Sequence, residues 1–218
     1  MMRKRRKFNA KKSLKKLFLK HVVTNSKEGI LTISNARGSA EAKTVLIAPP
    51  TDELEYANNL PFTGEVARYF HNLLLENTGV STEDFFVIPF HSYSVLREKT
   101  GELKIPKDAT LGVVDFIQEA AKLGLIKGVV TVGGDAFKYT FGRGKKAQMQ
   151  SLSGNVLFDS TINNLPIFVF PDIRGLKPDF TGEYGEDRKK KIWQEETVRE
   201  LLKAIQRFKT ANKEHGFV

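Results

Sequence analysis

Gly128-Val129-Val130-Thr131-Val132, running straight into Gly133-Gly134-Asp135, is the stretch that decides the fold. Its side chains lack the apolar–polar alternation of a strand with one wet face, so a strand here is covered on both sides. The Gly-Gly-Asp turn then hands the chain to a helix running through Phe141, with Asp135 as the expected cap and a phosphate cradle as the alternative. Three other runs repeat the pattern: Thr44-Val45-Leu46-Ile47-Ala48 before Pro49-Pro50, Phe85–Phe90, and Ile167–Phe170 before Pro171. Helical periods fill the gaps. Thr63 is expected to cap a helix to about Asn77, with Val66, Phe70, Leu73 and Leu74 on one face and Gly79 as terminator. Thr110 is expected to cap a second, with Val113, Val114, Ile117 and Ala121 as its stripe and Gly124 at its end. A last helix from about Lys191 to Lys209 places Val198, Leu201, Leu202, Ile205 and Phe208 inward. Strands alternating with helices, each strand almost wholly apolar, predict an α/β fold with a parallel sheet between two helical layers. Asn155–Phe158 reads as a strand outside the main series. Residues 24–43 read as a connection plus an edge strand or hairpin around Ile30, Leu31 and Ile33.

The chain has 218 residues, enough for one ordinary α/β domain, and is 40 % apolar and 28 % charged, a globular composition. It contains no cysteine, which excludes disulfides, iron–sulfur clusters, thiolate zinc and a cysteine nucleophile. No apolar run approaches the roughly 18–20 residues of a membrane span. His21, His71 and His215 have no metal-ligand spacing, and G-x-G-x-x-G, P-loop and G-x-S-x-G motifs are missing. Neither a cofactor nor a metal is expected.

The net charge of +10 has one source. Residues 1–20 hold Arg3, Lys4, Arg5, Arg6, Lys7, Lys11, Lys12, Lys15, Lys16 and Lys20 and no acid, which leaves 25 basic and 25 acidic side chains for residues 21–218. We divide the chain accordingly into a flexible basic arm, residues 1–23, and one domain, residues 24–218. A block of like charge repels itself until it meets an anion, and each Lys or Arg set on a phosphate releases a counterion. The arm is thus a nucleic-acid arm or a solubilising tail. Leu14, Leu17, Phe18 and Val22 recur at helical spacing, so residues 11–22 could form a basic amphipathic helix for a groove or an acidic membrane.

In a parallel sheet, ligands bind outside the carboxyl ends of the strands. That rule nominates the loops Pro49–Gly64, His91–Asp108, Gly133–Asp135 and Pro171–Lys190. His91 stands where a general acid or oxyanion donor could act. Arg143, Lys145 and Lys146 form a basic, glycine-flanked loop.

Several of these segments together resemble the uracil-DNA glycosylase superfamily, most of all its small thermophilic-type branch. Asn59-Leu60-Pro61-Phe62-Thr63-Gly64 before a helix is similar to the family's P-F-x-G segment. Val45-Leu46-Ile47-Ala48-Pro49-Pro50 stands where the branch has an apolar strand and a G-E-A-P-G-like motif. Val132-Gly133-Gly134-Asp135-Ala136 resembles its L-G-x-x-A turn, and Phe168-Val169-Phe170-Pro171 takes the place of the last strand and its H-P motif. Lys191-Ile192-Trp193-Gln194-Glu195 is similar to the tryptophan-bearing start of the closing helix. The likeness runs in order over residues 44–208. It implies a three-layer αβα sandwich around a four-stranded, mainly parallel sheet with a DNA-facing groove. It also implies base stacking by Phe62 and a DNA-entering loop in which Leu176 is a wedge between Arg174 and Lys177.

The same resemblance marks where chemistry is missing. Ile47 replaces the group that positions water, Pro89 the amide that reads the pyrimidine edge, and Phe170 the histidine that holds the leaving anion. The cluster-binding cysteines are missing too. The expectation is a DNA-binding protein without standard glycosylase activity. It would be an accessory factor in replication, repair or packaging, binding single- or double-stranded DNA with little sequence preference beside a replication or repair protein. The alternative is an active base-processing enzyme that uses Asp52, Glu53 or His91, with Glu55 the next nearest carboxylate. A third is a nucleotide-binding α/β domain of chance likeness. The expected location is the cytoplasm, or the host cell interior for a viral protein, or the nucleus for a eukaryotic one.

Overall fold

The computed structural model describes residues 13–23, 35–49, 53–90, 107–141, 152–176 and 187–218. Its elements are α1 (Leu14–Phe18), β1 (Arg37–Gly38), β2 (Thr44–Ala48), α2 (Glu53–Ala57), α3 (Glu65–Thr78), β3 (Phe86–Pro89), α4 (Lys107–Lys122), β4 (Gly128–Val132), α5 (Gly134–Phe141), β5 (Val156–Asp159), β6 (Leu165–Phe170) and α6 (Asp187–His215).

The four expected strands pair in parallel in the order β3-β2-β4-β6. The sheet is nevertheless mixed and six-stranded, not four-stranded, because β1 and β5 add antiparallel strands at its two edges. The reason is the unpaired backbone of an edge strand: β1 satisfies part of β3, and β5 covers β6. β1 can lie so close only because Gly38 has φ of +83°, and a Cβ there would stand 2.0 Å from the Phe85 carbonyl oxygen.

Every residue of β2, β3 and β4 is buried, as continuous apolar runs require. Alternation along the strands sends Val45, Ile47, Phe86, Ile88, Val129 and Val169 to a cluster shared with α4 and α5. Leu46, Val87, Val130, Val132, Phe168 and Phe170 go to the opposite cluster, shared with α3 and α6. Helices on both faces of a mixed sheet make this an α/β protein.

Local details differ from the expectations for identifiable reasons. The α3 N-cap is Gly64 and not Thr63, whose hydroxyl donates back to Leu60 O at 3.3 Å while the Thr63 and Gly64 amides bond to the buried Glu55. Gly79 ends α3 as expected, left-handed at φ 77°, with its N–H donated to Leu75 O at 2.8 Å. The α4 helix begins at Lys107, ahead of Thr110, and α6 extends past both expected ends. Val198 and Leu202 flank the buried α6 stripe of Leu201, Ala204, Ile205 and Phe208. Ile30, Leu31 and Ile33 lie outside the described residues, and the edge strand forms at Arg37–Gly38 instead.

The largest correction concerns the arm. Its second half is a helix, as the spacing predicts, but the apolar face is sunk in the body and not offered to a groove or a membrane. Leu14, Leu17, Phe18 and Val22 are 1–4 % exposed and belong to the α4/α5 cluster. Phe18 stands edge-on to Phe86 at 6.1 Å and to Phe116 at 6.0 Å. The Ser13 side chain caps α1 by accepting from Lys16 N at 3.4 Å. Residues 14–22 are therefore structural members of the domain, although the charge pattern groups them with the arm. Residues 1–12, with Arg3, Lys4, Arg5, Arg6, Lys7, Lys11 and Lys12, lie outside the described residues.

Phe18→Ala should cost about 3–5 kcal/mol, the range for emptying a buried aromatic site. Leu19→Ala, at a side chain 43 % exposed, should stay within about 0.5 kcal/mol. Urea unfolding of both variants checks this, and two silent substitutions would mean that the helix is not part of the folded unit.

Candidate functional site

The carboxyl ends of β2, β4 and β6 gather three described loops. After β2, Glu55 on α2 is fully buried, and its Oε1 accepts from Thr63 N at 3.0 Å and Gly64 N at 3.2 Å. These bonds hold a turn in which Asn59 (φ 53°) and Phe62 (φ 60°) are both left-handed. Arg37 completes the clamp by donating to the Phe62 carbonyl oxygen while pairing with Glu83. The Phe62 ring is 1 % exposed and meets Phe70 edge-on at 5.5 Å, and Phe70 meets Phe170 at 5.1 Å. Phe62 is thus a core residue in this arrangement and offers no open face for a base. The turn resembles a stacking platform in sequence and is a packed corner in structure.

The loops after β4 and β6 are tied together by one cation. Arg174 Nε donates to Asp172 Oδ1 and Oδ2 at 2.9 and 2.8 Å, and Nη2 reaches Asp135 Oδ2 at 3.2 Å. Burial opposes the guanidinium charge, and Asp172 and then Asp135 outweigh it, so the Arg174 pKa is raised. Nε and Nη2 of Arg174 thus serve the two loops rather than open solvent. Gly133, left-handed at φ 85°, donates to Phe170 O at 3.1 Å and sets the turn; Asp135 lies in the first turn of α5 and serves Arg174, not as a cap. Leu176 ends a short 3₁₀ turn, half-buried against the α3/α6 cluster, and does not project as a wedge.

Ile47 and Phe170 are fully buried, on opposite faces of the sheet, and Pro89 is buried at the end of β3. None of the three could meet a ligand without opening the core. Asp52, His91 and Lys177 lie outside the described residues, as do Arg143, Lys145 and Lys146. Glu53 opens α2. Among the described residues no group of His, Asp and Glu is arranged to hold a metal ion, and no helix is long and apolar enough to cross a membrane.

The described arm cations sit elsewhere. Lys15 and Lys16 are exposed on α1, and Lys20 Nζ reaches Glu119 Oε2 at 2.8 Å beside His21 Nε2 at 2.6 Å. Hydrogen bonds from Lys20 and then His21 hold the Glu119 carboxyl at about 2, well below the usual carboxylate range. Ser13 and Leu14 line a pocket of about 290 Å³ with Ala40, Glu41, Ala42, Lys43 and Leu125. That pocket is at the amino ends of β2 and β4, and the loops just described are at the opposite ends.

The roles of Glu55, Arg37 and the Arg174–Asp172–Asp135 cluster escape the sequence reading, because nothing local in the chain signals that Glu55 is buried or that Arg37 reaches residue 62. The one cue is an acid a turn inside the loop after an apolar strand. Against known proteins, no family model matches the chain, and no curated protein matches it.

Arg174→Ala should lower stability by about 1–3 kcal/mol, since it strips the partner from two half-buried carboxylates. It should leave any DNA affinity within about twofold at physiological salt. A loss of DNA affinity with unchanged stability would return Arg174 to the phosphate-contact role.

Proposed function

We propose that this protein binds DNA through phosphate contacts, with little sequence preference, and serves replication, repair or packaging as an accessory factor rather than as a standard glycosylase. The observation that carries the reading is the charge distribution: ten cations and no acid in residues 1–20, joined to a remainder with 25 of each sign. The buried helix α1 supports it by fixing where that charge is attached. On the uracil-DNA glycosylase likeness, the three polar roles fall on Ile47, Pro89 and Phe170. Those side chains can neither position water nor donate a hydrogen bond, and each lost oxyanion-type donor costs on the order of 10²–10³ in rate. The burial of Phe62 against Phe70 is in line with this reading. Asp52, Glu53 and His91 remain the groups to test for any substitute chemistry.

The test is salt-dependent binding of a labelled oligonucleotide by the full chain and by a chain lacking residues 1–12. The deletion stops there because residues 14–22 belong to the core. If six arm cations engage phosphates, affinity should fall on the order of a thousandfold between about 50 and 200 mM salt. The deletion should flatten that slope. Equal binding by both chains would make residues 1–12 a solubilising tail. Single-turnover incubation with uracil-containing strands should release no uracil above background. Robust release abolished by Asp52→Ala, Glu53→Ala or His91→Ala would replace the accessory reading with an enzymatic one.

A further inference from the structure

We infer that the chain pairs with a second copy of itself along the outer edge of β5, the two strands running antiparallel about a two-fold axis at Leu157. This goes beyond the DNA-binding reading and does not depend on it.

Among the described residues, β5 is outermost in the sheet and pairs only with β6. The register fixes where its backbone groups point. Val169 N donates to Asn155 O at 3.3 Å. Bonded and non-bonded pairs alternate along an antiparallel ladder, so the next bonded pairs are Leu157 with Ile167 and Asp159 with Leu165. Pro166, which has no N–H to give, accordingly falls opposite Phe158 in a non-bonded pair. Val156 and Phe158 therefore aim their N–H and C=O groups away from β6.

Those groups are arranged to fit their own copy. Two β5 strands laid antiparallel, with Leu157 facing Leu157, set each Val156 opposite the Phe158 of the other copy. Both such pairs are of the bonded kind, and each closes two hydrogen bonds. Val156 packs toward the α3/α6 cluster and Leu157 toward the α4/α5 cluster, so alternation puts Phe158 on the face of Val156. An aromatic side chain across from a β-branched one is a favourable cross-strand pair. Phe158 is 50 % exposed in the single chain, with its ring edge-on to His215 at 5.8 Å.

Charge allows the same occupant. Edge strands commonly refuse a second chain with a charge or a proline. Asn155-Val156-Leu157-Phe158 has neither. The one acid of β5, Asp159, is 4 % exposed, and its Oδ1 accepts from Thr161 N at 2.8 Å and Thr161 Oγ1 at 2.6 Å. Two copies thus bring no like charges face to face along the strand, and residues 21–218, with 25 charges of each sign, are neutral as a body. A partner of another sequence must match this spacing by design, whereas a second copy matches it by symmetry. β5 contributes four residues a side against the roughly 20–30 of a standard interface, so the dimer is weak and forms at high concentration.

The experiment uses the full chain freed of nucleic acid, so that DNA cannot bridge copies. Sedimentation equilibrium from about 10 µM to about 1 mM should show the average mass rising toward that of a dimer. The chain has no cysteine, so a single one can report the axis. Leu157→Cys should cross-link under mild oxidation about tenfold or more faster than Ser160→Cys, whose two copies stand about 20 Å apart, beyond disulfide reach. Ser160 is exposed, so access does not separate the two variants in its disfavour. Phe158→Lys should weaken association about tenfold. Phe158→Pro, which deletes an outward N–H and none that β6 uses, should do the same. Circular dichroism checks folding, and Phe158→Lys with the cysteine pair carries the test if the proline variant unfolds. A chain that stays monomeric throughout overturns the proposal, as does a dimer that survives Phe158→Lys and cross-links equally through both cysteines. Either result leaves the DNA-binding reading standing, and a chain that dimerises through β5 yet ignores DNA overturns only that reading.

Discussion

A parallel sheet has no face that it can leave in water, and the rest of this structure follows from how its two faces are covered. The strands β2 and β4 have no exposed residue. On one side the 29-residue α6 and α3 suffice. On the other, α4 and α5 share the cover with the end of the basic arm, which sets Leu14, Leu17, Phe18 and Val22 among Phe86, Phe116 and Ile117. A stretch whose charge marks it as a tail is thus held by its apolar residues as part of the core.

Long, uniform apolar runs were the legible part of the fold. Thr44–Ala48 and Gly128–Val132 have the bounds that the sequence predicts, because a doubly covered strand leaves an unbroken apolar signal. The edge strands were harder for the opposite reason. β1 is two residues held by the backbone freedom of Gly38, and β5 is only partly buried, so neither has a strong periodic signature. Helical spacing at Leu14, Leu17 and Phe18 reveals the helix but not what it packs against, since an apolar stripe does not name its partner. Phe62 shows the limit for sites. Its position in P-F-x-G suggests a stacking surface, while its left-handed backbone, Glu55 and Arg37 turn the ring into the core.

The carboxyl edge and the amino edge of the sheet use their charges differently. At the carboxyl edge, charged groups serve each other: Glu55 the turn before α3, Asp172 and Asp135 the guanidinium of Arg174. Such pairs fix the described loops. At the amino edge, strand register and the bond from Lys127 N to Lys43 O bring these two lysines together, with Asp84 aligned beside Lys43 ahead of β3. Parallel register has the consequence that residues preceding neighbouring strands are aligned, so two ordinary lysines about 80 positions apart become one feature. The proposed role in binding DNA rests on the charge of residues 1–20 and makes no demand on Ile47, Pro89 and Phe170, which are buried.

The most direct measurement is lysine footprinting of the full chain by acetylation and mass spectrometry, with and without a saturating DNA duplex. Binding through the basic segment requires Lys4, Lys7, Lys11, Lys12, Lys15 and Lys16 to become protected together, while Lys203 and Lys209 on helix α6 keep their reactivity. Protection confined to lysines outside residues 1–20, with Lys4, Lys7, Lys11 and Lys12 as reactive as in the free protein, would contradict it.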